Sequence, residues 1–185
     1  MTDLTVAAAP ANDTTVRRAA AGDEAAFAVL VAAHHASMSR VAYAITSDGE
    51  MAGDAVQSAW SIAWRRLGTL REPATVRSWL VAIAANEARQ AVRKGRTRTV
   101  VDISEVLETS GGGNPADQIG TLDLARALRG LKPDDRALLA LRFVAGLDST
   151  EIASHLGLTA SGVRSRLARL LDRLRTDLET DGPRP

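Results

Sequence analysis

Two groups of side chains in this 185-residue chain have types and spacings suited to chemistry. The first lies in the segment VRSRLARLLDRLR, where Arg164, Ser165, Arg166 and Arg169 surround Ala168. An arginine can donate two parallel hydrogen bonds to a guanine edge. A serine hydroxyl bonds bases or phosphates, and an alanine among them lets a helix approach a groove closely. The second group is Asn86, Arg89, Arg93 and Lys94. An asparagine amide offers both donors and an acceptor to a base edge, and the cations suit phosphates. Both groups imply non-covalent recognition of nucleic acid. The plainer reading of each is a solvated face of an amphipathic helix.

Covalent and metal chemistry find little support. His34, His35 and His155 do not form a ligand set, because adjacent residues on a helix point to different faces. The segment GGGNP (111–115) lacks the Lys-Ser/Thr of a phosphate loop. The absence of cysteine excludes a disulfide framework, a thiolate metal site and a cysteine nucleophile. No Ser-His-Asp constellation is evident. The expectation is a non-enzyme with no metal and no cofactor.

The net charge of +1 conceals an uneven distribution. Residues 65–98 carry nine basic side chains against two acidic ones. Residues 99–135 carry seven acids against three bases, and residues 164–175 five arginines against one aspartate. Two basic blocks thus flank an acidic one, a pattern compatible with two nucleic-acid-facing surfaces. Aromatics are only 3% and apolar residues 45%, so this Ala-, Leu- and Arg-rich chain points to helices rather than a sandwich or barrel. No apolar run reaches transmembrane length, and MTDLTVAAAPANDTTV has neither a basic start nor an apolar signal core. The expected location is cytoplasmic.

The elements that position these groups follow from periodicity and caps. Residues 1–14 read as a disordered tail. A short helix covers Thr15 to Ala21, and Gly22 breaks it. Asp23 caps a long helix to about Thr46, with Phe27, Leu30, Val31, Met38, Val41, Ala42 and Ile45 forming one buried stripe. After a turn at Ser47–Gly49, a third helix runs from Glu50 to Leu67 with Val56, Trp60, Ala63 and Leu67 on one face. Gly68 to Pro73 is a loop. A fourth helix runs from Ala74 to Lys94 with Val76, Leu80, Ile83, Ala84 and Val92 inward. Helical spacing assigns Trp60, Trp64 and Trp79 to the core. Residues 96–120 lose periodicity and read as a flexible acidic linker. Helices then follow at Leu122–Arg129, from Pro133 to about Ala145, from a capping box at Asp148 and Glu151 to Leu156, and from Thr159 to about Glu179. The fold class is all-α: one domain over 15–95, a second over 121–180, and a tail at 181–185.

Ser149 to Leu171 carries a helix-turn-helix pattern in Ile152, Ala153, Leu156, Gly157, Leu158, Val163 and Leu167. Two short helices that cross closely need a small residue, Ala153, at the crossing. The turn needs a residue tolerant of positive φ, Gly157. Leu156, Leu158, Val163 and Leu167 lock the angle. Val163, Leu167, Leu170, Leu171 and Leu174 make the buried stripe, which leaves Arg164, Ser165, Ala168 and Arg169 outward and Arg166 on a flank.

EIASHLGLTASGVRSRLARLLDRLR resembles region four of bacterial RNA polymerase sigma factors of the extracytoplasmic-function (ECF) group. DGEMAGDAVQSAWSIAWRRL is similar to that group's region 2.2, and RSWLVAIAANEARQAVRK to regions 2.3 and 2.4. The resemblance covers about residues 15–95 and 120–180 in the family's order. It departs where Gly53 precedes a single Asp54, where Gln90 replaces an Asp, and where Gly95 and Thr97 dilute the basic run. It implies docking of Asp54, Gln57, Trp60 and Arg65 on the β′ clamp of core RNA polymerase, with the β subunit as a further partner and the acidic linker in polymerase channels that otherwise hold nucleic acid. It implies promoter −10 contacts by Asn86, Arg89, Arg93 and Lys94, with an extruded base held by the loop Gly68–Pro73. Arg164, Ser165, Arg166 and Arg169 would read the −35 element, and an anti-sigma protein would cover both DNA-binding faces. Two other readings stand beside it: a free-standing helix-turn-helix regulator whose N-terminal bundle dimerises or senses, and a helical interaction module whose arginine faces meet acidic partners.

Overall fold

The computed structural model describes residues 13–95 and 127–181. The expected linker and most of the helix expected over Leu122–Arg129 lie outside these residues, although 127–130 are helical. Seven α-helices are described: α1 (Asp13–Ala20), α2 (Glu24–Thr46), α3 (Gly49–Arg66), α4 (Val76–Gly95), α5 (Pro133–Leu139), α6 (Ser149–Leu156) and α7 (Ala160–Asp181). No strand occurs among the described residues. The first helix opens at Asp13, inside the stretch expected as tail.

Local chemistry sets the boundaries. Gly22 takes φ +93, and the Asp23 carboxylate then accepts the Ala26 N–H at 3.0 Å to start α2. Such a cap satisfies one of the N–H groups a helix start leaves without an intrahelical partner. Arg18 donates to the same carboxylate at 2.6 Å. The Ala26 N–H and Arg18 together hold the Asp23 carboxyl below the usual carboxylate range. The chain leaves α2 through Ser47 at φ 56, and Asp48 caps α3 by accepting the Met51 N–H at 2.7 Å.

α2 packs on α1, α3 and α4, and α3 packs on α4. Leu30, Met38, Val41, Ala42 and Ile45 of α2 are fully buried. Each large apolar side chain of this kind stabilises the fold by about 1.5–3 kcal/mol. Phe27 is only partly buried and meets Trp60 and Trp64 edge-on, at centroid distances of 5.6 and 4.8 Å. The expectation of three core tryptophans fails at Trp64, which is 40% exposed. One ring edge on Phe27 is enough to anchor it without enclosing it.

α4 buries more of its circumference than expected. Val81, Ala85 and Ala88 join Val76, Leu80, Ala84 and Val92 inside, whereas Ile83 is only partly covered. The cause is a second neighbour: α4 contacts α5 and α6 as well as α2 and α3. The C-terminal helices therefore sit on the N-terminal bundle, with α2 also touching α5.

The helix begun by Pro133 ends in a wide turn. Residues 140–144 are π-helical, and the Ala145 N–H reaches back to the Ala140 carbonyl at 2.9 Å. Gly146 (φ +70) then reverses the chain.

Candidate nucleic-acid interface

The hairpin of α6 and α7 is built by its caps. Asp148 Oδ1 accepts the Thr150 and Glu151 N–H groups at 2.7 and 2.9 Å, and Glu151 Oε2 accepts the Asp148 N–H at 2.9 Å. This reciprocal box fixes where α6 starts. Gly157 adopts φ +66, which a side chain would oppose. Thr159 Oγ1 accepts the Gly162 N–H at 3.1 Å to open α7. Ile152, Ala153, Val163, Leu167, Leu170 and Leu174 are buried, as the pattern requires. Leu158 and Leu171 are not: they are 41% and 42% exposed. Leu171 lies one residue past the stripe, roughly 100° around the helix from Leu170, and Leu158 sits in the turn beyond the crossing.

On the opposite side of α7, Arg164, Ser165, Ala168 and Arg169 are exposed. Arg169 Nε donates to the Ser165 carbonyl of its own helix at 3.3 Å. Arg166 is half-buried and bonded to Asp135 of α5 through Nε at 2.9 Å and Nη2 at 2.7 Å. It braces α7 against α5.

The α4 group is arranged differently. At 3.6 residues per turn, Asn86, Arg89 and Arg93 fall within roughly 60° of one another, and Lys94 lies off that stripe. Arg89 Nη2 donates to Asn86 Oδ1 at 2.8 Å. Arg89 Nη1 also lies 3.3 Å from Asp134 Oδ1. Arg93 Nη2 donates to both oxygens of the same carboxylate at 2.7 Å. Sequence reasoning assigned this stripe to solvent or DNA and missed Asp134, whose only sequence signal was its place in the acidic block. A cleft of about 220 Å³ runs beside it, lined by Trp79, Ile83, Asn86, Arg66 and His155 among others. Burial lowers the His155 pKa, and Glu151 partly opposes that shift.

On α3, Asp54, Gln57 and Arg65 are exposed, while Trp60 turns inward and donates from Nε1 to His35 Nδ1 at 3.2 Å. The segment expected as a loop, Gly68–Pro73, is irregular at residues 70–72 and flanked by two 3-10 turns, Leu67–Thr69 and Pro73–Thr75, packed near α1. No helix is long and apolar enough to cross a membrane, and no three or more His, Cys, Asp or Glu side chains cluster as metal ligands, among the described residues.

The chain is thus an all-α protein whose described residues include an exposed arginine-bearing helix in a helix-turn-helix hairpin. Comparison with known proteins places it further. Its residues 30–98 match the sigma-70 region 2 family and 121–174 match sigma-70 region 4. It is 31% identical to the ECF RNA polymerase sigma factor SigL of Mycobacterium tuberculosis, over 90% of this chain and 97% of that protein. It is 33% identical to the sigma factor RfaY of Xanthomonas campestris pv. campestris over 86% of this chain, spanning 42% of that longer protein. The solved structure of CnrH in complex with the cytosolic domain of CnrY superposes with a TM-score of 0.70 at 25% identity, covering 93% of this chain and 99% of CnrH. The chain belongs to the ECF group of RNA polymerase sigma factors.

Proposed function

We propose that this sigma factor directs core RNA polymerase to promoters by dividing the work between its two helical halves. α3 docks on the polymerase clamp through its exposed Asp54, Gln57 and Arg65, while Trp60 braces α3 against α2 through His35. α4 engages the −10 strand, with Asn86 on a base and Arg89, Arg93 and Lys94 on phosphates. The turns around Gly68–Pro73 hold an extruded base. α7 reads the −35 duplex with Arg164, Ser165 and Arg169, while Arg166 holds the helix in place. The chain acts in the cytoplasm, and its part in initiation is positioning and strand capture, with bond formation left to the polymerase. An anti-sigma protein controls it, a reading supported by the structural likeness to the sigma factor RpoE of Bartonella quintana, solved in complex with the anti-sigma factor NepR.

The observation that carries this reading is the exposed Arg164–Ser165–Ala168–Arg169 surface on a capped, buried-stripe hairpin. Such a face is shaped for a major groove. Single-round transcription with core polymerase and this chain on a promoter library tests it. Promoter-specific transcripts that depend on the chain, and binding that falls steeply with salt through counterion release, are the expected results. Core polymerase that gains no promoter preference overturns the proposal.

A further inference from the structure

Arg166 stands apart from the other arginines of α7. It lies about 60° around the helix from Arg169, on the border between the exposed face and the buried stripe. Its Nε and Nη2 both donate to Asp135 Oδ1 of α5, at 2.9 and 2.7 Å. Asp135 is itself buried, with 13% of its side chain exposed. The ion pairs of Arg173 with Asp177 and of Arg175 with Asp172 are looser, at 3.8 and 3.7 Å, lie within α7 and are exposed on both partners. Arg166 is thus tied by short bonds to a different element, and that anchor is fixed. Pro133, Ala137 and Leu138 of α5 are buried, and the Asp135 N–H donates to the Lys132 carbonyl at 2.9 Å.

We propose that Asp135 is a positioning residue for sequence reading: it holds Arg166 off the phosphates and fixes the angle at which α7 presents Arg164, Ser165 and Arg169, so that the hairpin sorts sequences instead of gripping any duplex. This rests on the reading of α7 as the −35 helix. Two physical effects combine. An arginine left unpaired beside a groove-reading face reaches the phosphates that border the groove, and that contact adds affinity to every sequence alike. A brace between α7 and α5 confines the helix to one tilt, and hydrogen bonds to base edges keep good geometry only near it. The carboxylate therefore removes a contribution that ignores sequence and protects one that depends on it. By residue type Arg166 is a DNA contact. Its partner, 31 residues earlier in the chain, gives it the opposite task.

The test uses the full chain and a pool of random-sequence DNA duplexes about two helical turns long. Affinity for the pool is measured between about 50 and 200 mM salt, and the bound fraction is sequenced. The native chain should enrich one motif. Arg166→Gln should leave the slope of log affinity against log salt unchanged, because Arg166 neutralises no phosphate in the native complex, while enrichment falls with the loss of the brace. Asp135→Asn frees Arg166. The slope should then steepen by about 0.9, so that the affinity lost across that salt range grows about three-fold, and enrichment should fall several-fold. Adding Arg166→Gln to Asp135→Asn should return the slope to its native value with enrichment still low. A purely structural part for Asp135 would weaken binding to all sequences without steepening the slope, and that result overturns the proposal. So does a slope made shallower by Arg166→Gln, since Arg166 would then already be a phosphate contact, and this arm does not depend on how well the Asp135 variant folds. Undiminished enrichment in both variants overturns the brace. If the native chain itself enriches no motif, the −35 reading of α7 fails and this proposal falls with it.

Discussion

α4 and α7 each carry several arginines, and by composition they are near equivalents. In the folded chain they are opposites. The α7 arginines Arg164 and Arg169 project from an exposed face whose hydrogen bonds stay within its own helix. The α4 arginines Arg89 and Arg93 are already held, by Asn86 on one side and Asp134 on the other. Free guanidinium groups lose rotamer entropy on binding but displace nothing. Held groups are ordered in advance, and a ligand must first displace a carboxylate. A count of cations measures the potential field of a helix, whereas its availability depends on which acids the fold brings to it.

The sharpest way to break the comparison is at α7. Arg164→Ala and Arg169→Ala should each weaken −35 duplex binding by about 1–3 kcal/mol if each makes a bidentate base contact. Titration at fixed salt measures this, and co-purification with core polymerase should be unaffected. A loss of polymerase binding with DNA affinity intact would reverse the roles assigned to the two halves. Next in size is the scaffold of that face. Asp148→Ala removes the cap that starts α6 and should destabilise the chain by about 1 kcal/mol, read from the denaturant midpoint at constant m-value. At α4 the effect should be smaller, because native contacts already occupy the stripe. Asn86→Ala should reduce permanganate-reactive thymines near the start site a few-fold while closed complexes form normally. Wild-type opening by that variant removes Asn86 from the melting surface.

The smallest effect is on pH. Burial lowers the pKa of His34, with Arg77 adding to the shift, and burial also lowers that of His155. The folded chain thus takes up these protons less readily than the unfolded chain. Their contribution is complete above the ordinary imidazole value near 6.5 and is lost as pH falls through the lower folded values. Thermal stability should drop between pH 7.5 and pH 5.5, and His34→Leu should flatten that slope.

Much of the scaffold was legible in the sequence because it is written locally. Gly22, Asp23, Asp148, Glu151, Gly157 and Thr159 act within three residues of where they stand, and all six do what their types imply. The 3.6-residue stripe located Leu30, Met38, Val41 and Ile45 for the same reason. What escaped is non-local. Asp134 and Asp135 were counted with the acidic block, yet their partners lie 41 and 31 residues away in opposite directions. Ala85 and Ala88 of α4 looked indifferent, because only a second packing partner makes small residues on that side informative. The π-turn at 140–144 leaves no mark in composition, since it changes hydrogen-bond spacing and not residue type. In the hairpin of α6 and α7, Leu158 and Leu171 show the converse: leucines that fit a motif and still face solvent.

The two neighbouring carboxylates also set how α5 is gripped when the molecule is under load. Successive residues on a helix point about 100° apart, so the short first turn of α5 can grip both sides at once but cannot turn without releasing one of them. The Arg166 bond is the better sheltered, with Asp135 only 13% exposed against 36% for Asp134. α5 also packs on both α2 and α4, and more extensively than on α7. Pulled from its two ends, the chain would therefore load two neighbouring residues of a single helix from opposite sides, and α5 would stay with the bundle of α1–α4 while α7 parts from it.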